Sequence, residues 1–93
     1  MTDKRVPLGG GKWFDPTSCS VWEQTKKPMT IAGFHSQRLY LTKRGAWLLH
    51  TWLPMMMDGG SYELIEATAA YAWLLDHGHV DAIPAETLDA GEV

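Results

Sequence analysis

The sequence has little cysteine and no long apolar run, and each absence excludes a class of protein. Its single cysteine, Cys19, cannot form an intrachain disulfide, so we expect a cytoplasmic protein whose fold needs no covalent staple. The longest apolar stretch, residues 46–57, is interrupted by His50, Thr51 and Pro54. It falls short of the ~20 apolar residues that span a bilayer. The sequence therefore predicts a soluble protein with no membrane association.

Lys and Arg are absent from the second half of the chain. All eight lie at or before Arg44, together with three acids, whereas eight acids follow that residue. The two halves thus carry +5 and −8 in a chain of net charge −3. An acidic surface attracts a basic partner and speeds its encounter. The pattern is equally consistent with two halves that offset each other, or with acids that simply solvate a surface.

Motifs for catalysis, cofactors and metals are also missing. The sequence has no serine nucleophile elbow and no Cys–His signature, and residues 9–12 (GGGK) lack the spacing of a phosphate-binding loop. His77 and His79 would supply two zinc ligands of the four that such a site needs. We therefore expect a protein that is not an enzyme and that holds no cofactor or metal.

The first residues are polar and rich in glycine. Residues 1–11 are therefore predicted to form a disordered leader, and residues 12–93 a single domain. Asp15 followed by proline is a helix-start signal, because Asp caps free N–H groups and proline suits the first helical position. It predicts a short helix over residues 16–24.

Two β-rich runs, residues 37–42 and 46–52, are joined by three residues that end in Gly45. This length suits a hairpin whose last loop position is left-handed, where glycine avoids a steric clash. Residues 61–65 follow a glycine-containing turn and are predicted to form a third strand.

Apolar residues recur at helical spacing over residues 66–77, and Gly78 follows as a C-terminal cap. Residues 83–86 predict no more than a short final turn. The pattern indicates an α+β fold, with a three-stranded antiparallel sheet and this C-terminal helix packed on one face. The N-terminal segment is expected on the other face.

Both faces of the predicted hairpin are apolar. On the first strand Leu39 and Leu41 fall on one face and Tyr40 on the other, and on the second strand Leu49 alternates with Leu48. An antiparallel sheet covered on one side normally has a polar outer face. The second face is therefore covered either by the N-terminal segment or by a partner, which includes a second copy in a homodimer. The aromatic residues that this segment offers are Trp13, Phe14 and Trp22.

Exposed aromatic residues and adaptable methionines are typical of protein contacts. The sequence therefore favours a protein partner, of basic character if the acids take part. The residues predicted to bind it are Tyr40, Trp47, His50, Trp52, Met55, Met56, Met57, Glu63, Glu66 and Asp76.

The hairpin tip suggests a nucleic-acid-binding regulator as the alternative. Arg38, Lys43 and Arg44 lie on or beside the hairpin, with Tyr40 as a nearby aromatic. The net negative charge of the chain disfavours this alternative, since nucleic-acid binding depends strongly on phosphate neutralisation.

Residues 38–52 (RLYLTKRGAWLLHTW), 62–65 (YELI) and 70–79 (AYAWLLDHGH) resemble a pattern in a family of small bacterial and mobile-element proteins. That pattern reads LYxTxxGxWxLHxW, then YxxI, then AxxWLxxxGH. The resemblance bears on the fold and implies no activity. The chain departs from the pattern at residues 53–57 (LPMMM), where polar residues are more usual.

Small acidic proteins of phages and plasmids commonly act by occupying the surface of a host protein, as antitoxins and anti-CRISPR inhibitors do. The analogy rests on size and charge alone. The sequence thus favours a non-enzymatic protein-interaction module that inhibits or regulates a host protein.

Overall fold

The structure, a computed structural model, describes residues 4–25, 29–30, 33–34, 36–53 and 59–93. The strands in these residues are β1 (Val6–Gly9), β2 (Lys12–Phe14), β3 (Ser20–Glu23), β4 (Met29–Thr30), β5 (Gly33–Phe34), β6 (Ser36–Leu41), β7 (Trp47–Trp52) and β8 (Ser61–Ile65). The helices are α1 (Ala67–Asp76) and α2 (Ala85–Ala90), with 3₁₀ turns at Pro16–Ser18 and Val80–Ala82. This is an α+β fold, as predicted.

A four-stranded antiparallel sheet in the order β3-β6-β7-β8 forms the centre of the molecule. The β6–β7 hairpin confirms the prediction, and its loop closes through a bond from Gly45 N–H to the Thr42 carbonyl, 3.0 Å long. Gly45 has a φ of 84°, the left-handed conformation expected there. Two further pairs, β1 with β2 and β4 with β5, are also antiparallel.

The prediction of three strands is wrong, because β3 forms where residues 16–24 were expected to be helical. Asp15 does cap a helical turn at Pro16–Ser18, but the turn ends at Cys19. The chain then alternates: Trp22 lies beside Leu39 of β6, and the residues on either side of it point to the other face. Pairing along β6 therefore outweighs continuation of the helix.

Strand β1, Val6–Gly9, lies within the residues that were predicted to form a disordered leader. The glycines make the turn to β2, with φ values of 91°, 60° and 78° at Gly9, Gly10 and Gly11. Such a turn lets Val6 pair with Phe14. The apolar residues of β1 then pack beside the sheet, so this segment buries apolar surface when it folds.

Helix α1 covers one face of the sheet, within one residue at each end of the predicted 66–77. Gly78, with a φ of 77°, follows the helix end as expected. The Trp73 indole N–H donates to the Gln37 side-chain oxygen over 3.0 Å, so its polar atom is satisfied inside. The buried cluster on this face comprises Leu39, Trp47, Ala70, Trp73, Leu74 and Ile83.

The N-terminal segment packs on the opposite face, as one of the two covers that the sequence left open. Phe14 is 4% exposed and meets the rings of Tyr40 and Tyr62 edge-on, with centroids 5.6 and 5.2 Å away. Leu48 completes this buried cluster. Trp22, which was expected to join this cover, instead packs on the α1 side, 5.7 Å from Trp47.

The chain ends in a second helix where only a short turn was expected. Pro84 precedes it with a φ of −55°, and the Leu88 N–H donates to the Pro84 carbonyl over 3.0 Å. Leu88 packs against the core cluster beneath α1, which holds the helix in place. No helix among the described residues is long and apolar enough to cross a membrane.

Two glycines with a left-handed backbone should differ in how strongly an added side chain destabilises the fold. Gly45 has open space around an added Cβ, whereas a Cβ at Gly60 would overlap the Thr51 carbonyl oxygen and lie 2.7 Å from Trp52 Cα. We expect Gly45→Ala to lower the free energy of unfolding by about 1 kcal/mol, the cost of the left-handed conformation alone. Gly60→Ala should lower the free energy of unfolding by about 3 kcal/mol or more, because the atoms that the new Cβ overlaps belong to the backbone and cannot shift without distorting it.

Urea denaturation of both variants measures this difference. Equal losses at Gly45 and Gly60 would contradict the close approach of residue 60 to β7.

Candidate functional site

The outer layers of the molecule carry opposite charges. The N-terminal segment and the β6–β7 hairpin tip carry Lys4, Arg5, Lys12, Lys43 and Arg44. The helical side carries Glu66, Asp76, Asp81, Glu86, Asp89 and Glu92. Among the described residues, no acid of the second half forms an ion pair with Lys or Arg, and the Arg38–Glu23 pair (3.0 Å) lies within the first half. Within the described part of the chain, the two halves therefore pack together without ion pairs between them.

A groove of about 480 Å³ lies between α1 and α2. We call it the helical groove, and its lining is Tyr71, Ala72, Leu75, Ile83, Thr87, Leu88, Asp89, Gly91 and Glu92. Leu75 is 52% exposed, although it is a large aliphatic residue. The groove therefore combines apolar side chains with two carboxylates, a chemistry that suits an apolar anchor flanked by cations.

A second groove, of about 510 Å³, lies between the N-terminal segment and the β6–β7 hairpin tip. We call it the N-terminal groove, and its lining is Trp13, Phe14, Asp15, Ser18, Cys19, Thr42, Lys43, Arg44, Ala46 and Leu48. Trp13 is 56% exposed, and the Arg5 guanidinium lies 5.4 Å from the centre of its ring. This groove has the opposite charge to the helical groove.

Asp15 is the acid that lines the N-terminal groove, and its carboxylate is already engaged. It accepts hydrogen bonds from the Thr17 hydroxyl at 2.6 Å and the Thr17 backbone N–H at 2.9 Å. These bonds hold the pKa of Asp15 below its ordinary 3.8, and the nearby Lys4 and Lys43 lower it further. The carboxylate is thus ionised and faced by cations.

Cys19 lines the same groove as a protonated thiol. Its sulfur donates to the Asp15 carbonyl oxygen over 3.2 Å. Burial raises the pKa of Cys19 above 9.0, and the negative charge of Asp15 raises it further. Since the thiolate is the reactive form, Cys19 lacks the activation of a catalytic nucleophile.

An aromatic cluster occupies the end of the sheet away from the hairpin tip. The His50 ring stacks on Tyr62 at 4.0 Å and lies 4.6 Å from Trp52, whose other neighbour is the Arg38 guanidinium at 5.2 Å. His50 Nε2 is 2.6 Å from the Gly59 carbonyl oxygen. His50 Nδ1 is buried and has no hydrogen-bond partner among the described residues. Burial also raises the pKa of Tyr62, so its hydroxyl stays protonated at neutral pH.

Three of the predicted partner-binding residues are core residues. Tyr40, Trp47 and His50 are 5%, 8% and 9% exposed. Tyr40 and His50 face the N-terminal side of the sheet, whereas Trp47 faces α1. Their rings are covered by the chain itself, and a contact role for them stays a prediction. Trp52 is half-buried against His50.

Of the remaining predicted partner-binding residues, three lie within the described part of the chain. Glu63, Glu66 and Asp76 are exposed, on β8 and at the two ends of α1. Met55, Met56 and Met57 lie outside the described residues.

The residues of the predicted nucleic-acid site do not form one cluster. Lys43 and Arg44 are exposed at the hairpin tip. Arg38 lies toward the other end of β6, where it pairs with Glu23. A hydrogen bond with Tyr40 raises the pKa of Arg38 further above its usual value, and the charge of Glu23 adds to this. Arg38 therefore does not share a site with Lys43 and Arg44.

Sequence reasoning missed both grooves because it missed one wall of each. The helical groove needs α2, for which Pro84 before a run of helix formers was the available signal. The N-terminal groove needs β1, and the available signal was the apolar pair Val6 and Leu8 ahead of the glycine turn. Leu75 was recognised at helical spacing but not as an exposed groove residue.

Among the described residues, no group of three or more His, Cys, Asp or Glu is arranged to hold a metal ion. Comparisons of the chain with protein-family models, curated proteins and solved structures found no match. The family resemblance of residues 38–52 and 70–79 stays a prediction.

The engaged carboxylate of Asp15 predicts a pH-dependent contribution to stability. Because the folded-state pKa lies below 3.8, the contribution is fully present above the unfolded-state pKa and is lost as the pH falls through the folded-state pKa. We expect wild type to have a higher urea midpoint than Asp15→Asn at pH 7 and the same midpoint at about pH 2. A gap that persists at the lower pH would contradict the role of the charge.

Proposed function

We propose that the chain is a non-enzymatic protein-interaction module whose helical groove binds an apolar segment of a basic partner. The observation that carries this proposal is the half-exposed Leu75 in a groove shared with Asp89 and Glu92. An apolar side chain left open to water gains free energy when a partner covers it. The groove is concave, so one large side chain of the partner can be enclosed on several sides.

The charges around the groove favour a cationic partner over an acidic one. The helical side carries acids, and no Lys or Arg follows Arg44 in the chain. A partner segment with Lys or Arg beside an apolar anchor gains from this field, whereas an acidic segment is repelled. The field also speeds the encounter, so the association rate should fall as salt rises.

The two helices that form the walls of the groove favour a short amphipathic segment as the bound element. Tyr71 and Leu75 are four residues apart on α1 and so lie on one helical face. Leu88 of α2 forms the opposite wall. An amphipathic helix with anchors at helical spacing fills such a groove with its apolar side.

The proposed role is inhibitory or regulatory. A small domain that covers an apolar and basic segment of a host protein blocks whatever else uses that segment. Its effect depends on concentration and affinity alone, so it needs no catalytic group.

A positive charge placed in the helical groove should weaken recognition. Peptides selected from a random displayed library against the immobilised protein should carry an apolar anchor next to Lys or Arg. We expect Leu75→Lys to weaken their binding at least about tenfold, because the apolar contact is replaced by a like charge. Isothermal titration calorimetry with one selected peptide provides the measurement.

Val80→Lys is the matched control, since Val80 is 44% exposed and does not line the groove. It introduces the same charge and should leave the affinity within about twofold. Selection of acidic peptides, or equal losses in the two variants, would contradict the proposal.

A further inference from the structure

The N-terminal groove joins an exposed aromatic ring to a group of cations. Trp13 is 56% exposed, and Lys43 and Arg44 line the groove beside it. Arg5 lies over the same ring. We infer that this groove is a binding site for single-stranded nucleic acid, in which Trp13 stacks on a base and the cations pair with phosphates. This site is separate from the helical groove and does not depend on its function.

The aromatic ring determines the part of the ligand that enters the groove. Stacking between a base and an aromatic side chain tolerates any sequence, because every base has a flat face. The volume of about 510 Å³ is within the usual range for pockets that hold small organic groups. Phe14 and Leu48 give the groove an apolar floor. A base that enters is therefore shielded from water on more than one side.

The cations of the groove favour a ligand with an anionic backbone. Lys4, Arg5 and Lys12 extend the positive charge of the groove beyond Lys43 and Arg44. The carboxylate of Asp15 is held by Thr17 and faced by Lys4 and Lys43, so positive charge prevails. A ligand with regularly spaced anionic groups complements this surface better than a neutral one.

A single strand fits better than a duplex. The ring that would stack is an exposed side chain of β2 that lines the groove. In a duplex the bases are stacked on one another and cannot enter such a groove without being flipped out. A flexible single strand offers unstacked bases at little cost.

The acidic helical side does not prevent this binding. The sheet separates the two charged layers, because α1 packs on one face and the N-terminal segment on the other. Exposed charges farther apart than the Debye length, about 8 Å at physiological salt, are largely screened from each other. The unfavourable net charge of the chain therefore understates the attraction at this groove.

The test compares a short fluorescein-labelled oligothymidylate of about 10 nucleotides with an abasic oligonucleotide of the same length, using fluorescence anisotropy at low salt. The wild-type protein should bind the oligothymidylate on the order of tenfold more tightly, because the abasic strand lacks the base that stacks. Trp13→Ala should bind both strands equally, with the wild-type affinity for the abasic one.

A pair of charge variants tests the position of the phosphate contacts. Lys43→Gln should weaken the binding of both strands and lower the slope of log affinity against log salt by about 0.7. Arg38→Gln removes the same charge outside the groove and should leave the affinity and the slope unchanged.

Cys19 supplies an independent readout, since it is the single cysteine of the chain and lines the groove. Its alkylation by iodoacetamide at alkaline pH, followed by mass spectrometry, should slow when oligothymidylate is bound. The inference is overturned if the wild-type protein binds neither strand at low salt, or if it binds both strands equally. Equal losses in the Lys43 and Arg38 variants would also overturn it, as would equally effective competition by a polyglutamate peptide.

Discussion

The structure depends on one constraint, which is a sheet with apolar residues on both faces. Leu39 and Trp47 need a cover on one side, and Tyr40 and Leu48 need another on the opposite side. Burying only one face would leave a large apolar surface in water. The chain meets this constraint with α1 on the first face and the N-terminal hairpin on the second. The three layers and the position of both grooves follow from it.

The two covers come from opposite ends of a chain whose charges are segregated. The first half supplies the N-terminal layer with its Lys and Arg, whereas the second half supplies the acidic helices. Packing on opposite faces keeps the charges of the two layers apart, and among the residues that the structure describes no ion pair joins the two halves. Cations therefore predominate on one outer surface and acids on the other, and each holds a groove with an exposed apolar residue, Trp13 on the first and Leu75 on the second.

The sequence predicted the features that local signals determine. The β6–β7 hairpin, Gly45 and the helix over residues 66–77 follow from residue spacing and from the conformational needs of glycine. The fourth strand could not be predicted, because the Asp15 cap starts a helical turn whereas pairing of Trp22 beside Leu39 decides where it stops. Which aromatic residues of the sheet the chain itself covers also depends on contacts between distant segments. Periodicity therefore identified these residues but not which of them would be buried.

The most direct test of this constraint is the free energy of unfolding of Phe14→Ala, measured by urea denaturation beside Leu74→Ala. Phe14 anchors the N-terminal cover and Leu74 the helical cover, and they are 4% and 0% exposed. If both covers are required, each substitution should lower the free energy of unfolding by about 3 kcal/mol or more in a single cooperative transition. A Phe14→Ala variant within about 1 kcal/mol of wild type, beside a strongly destabilised Leu74→Ala, would show that the second face needs no cover.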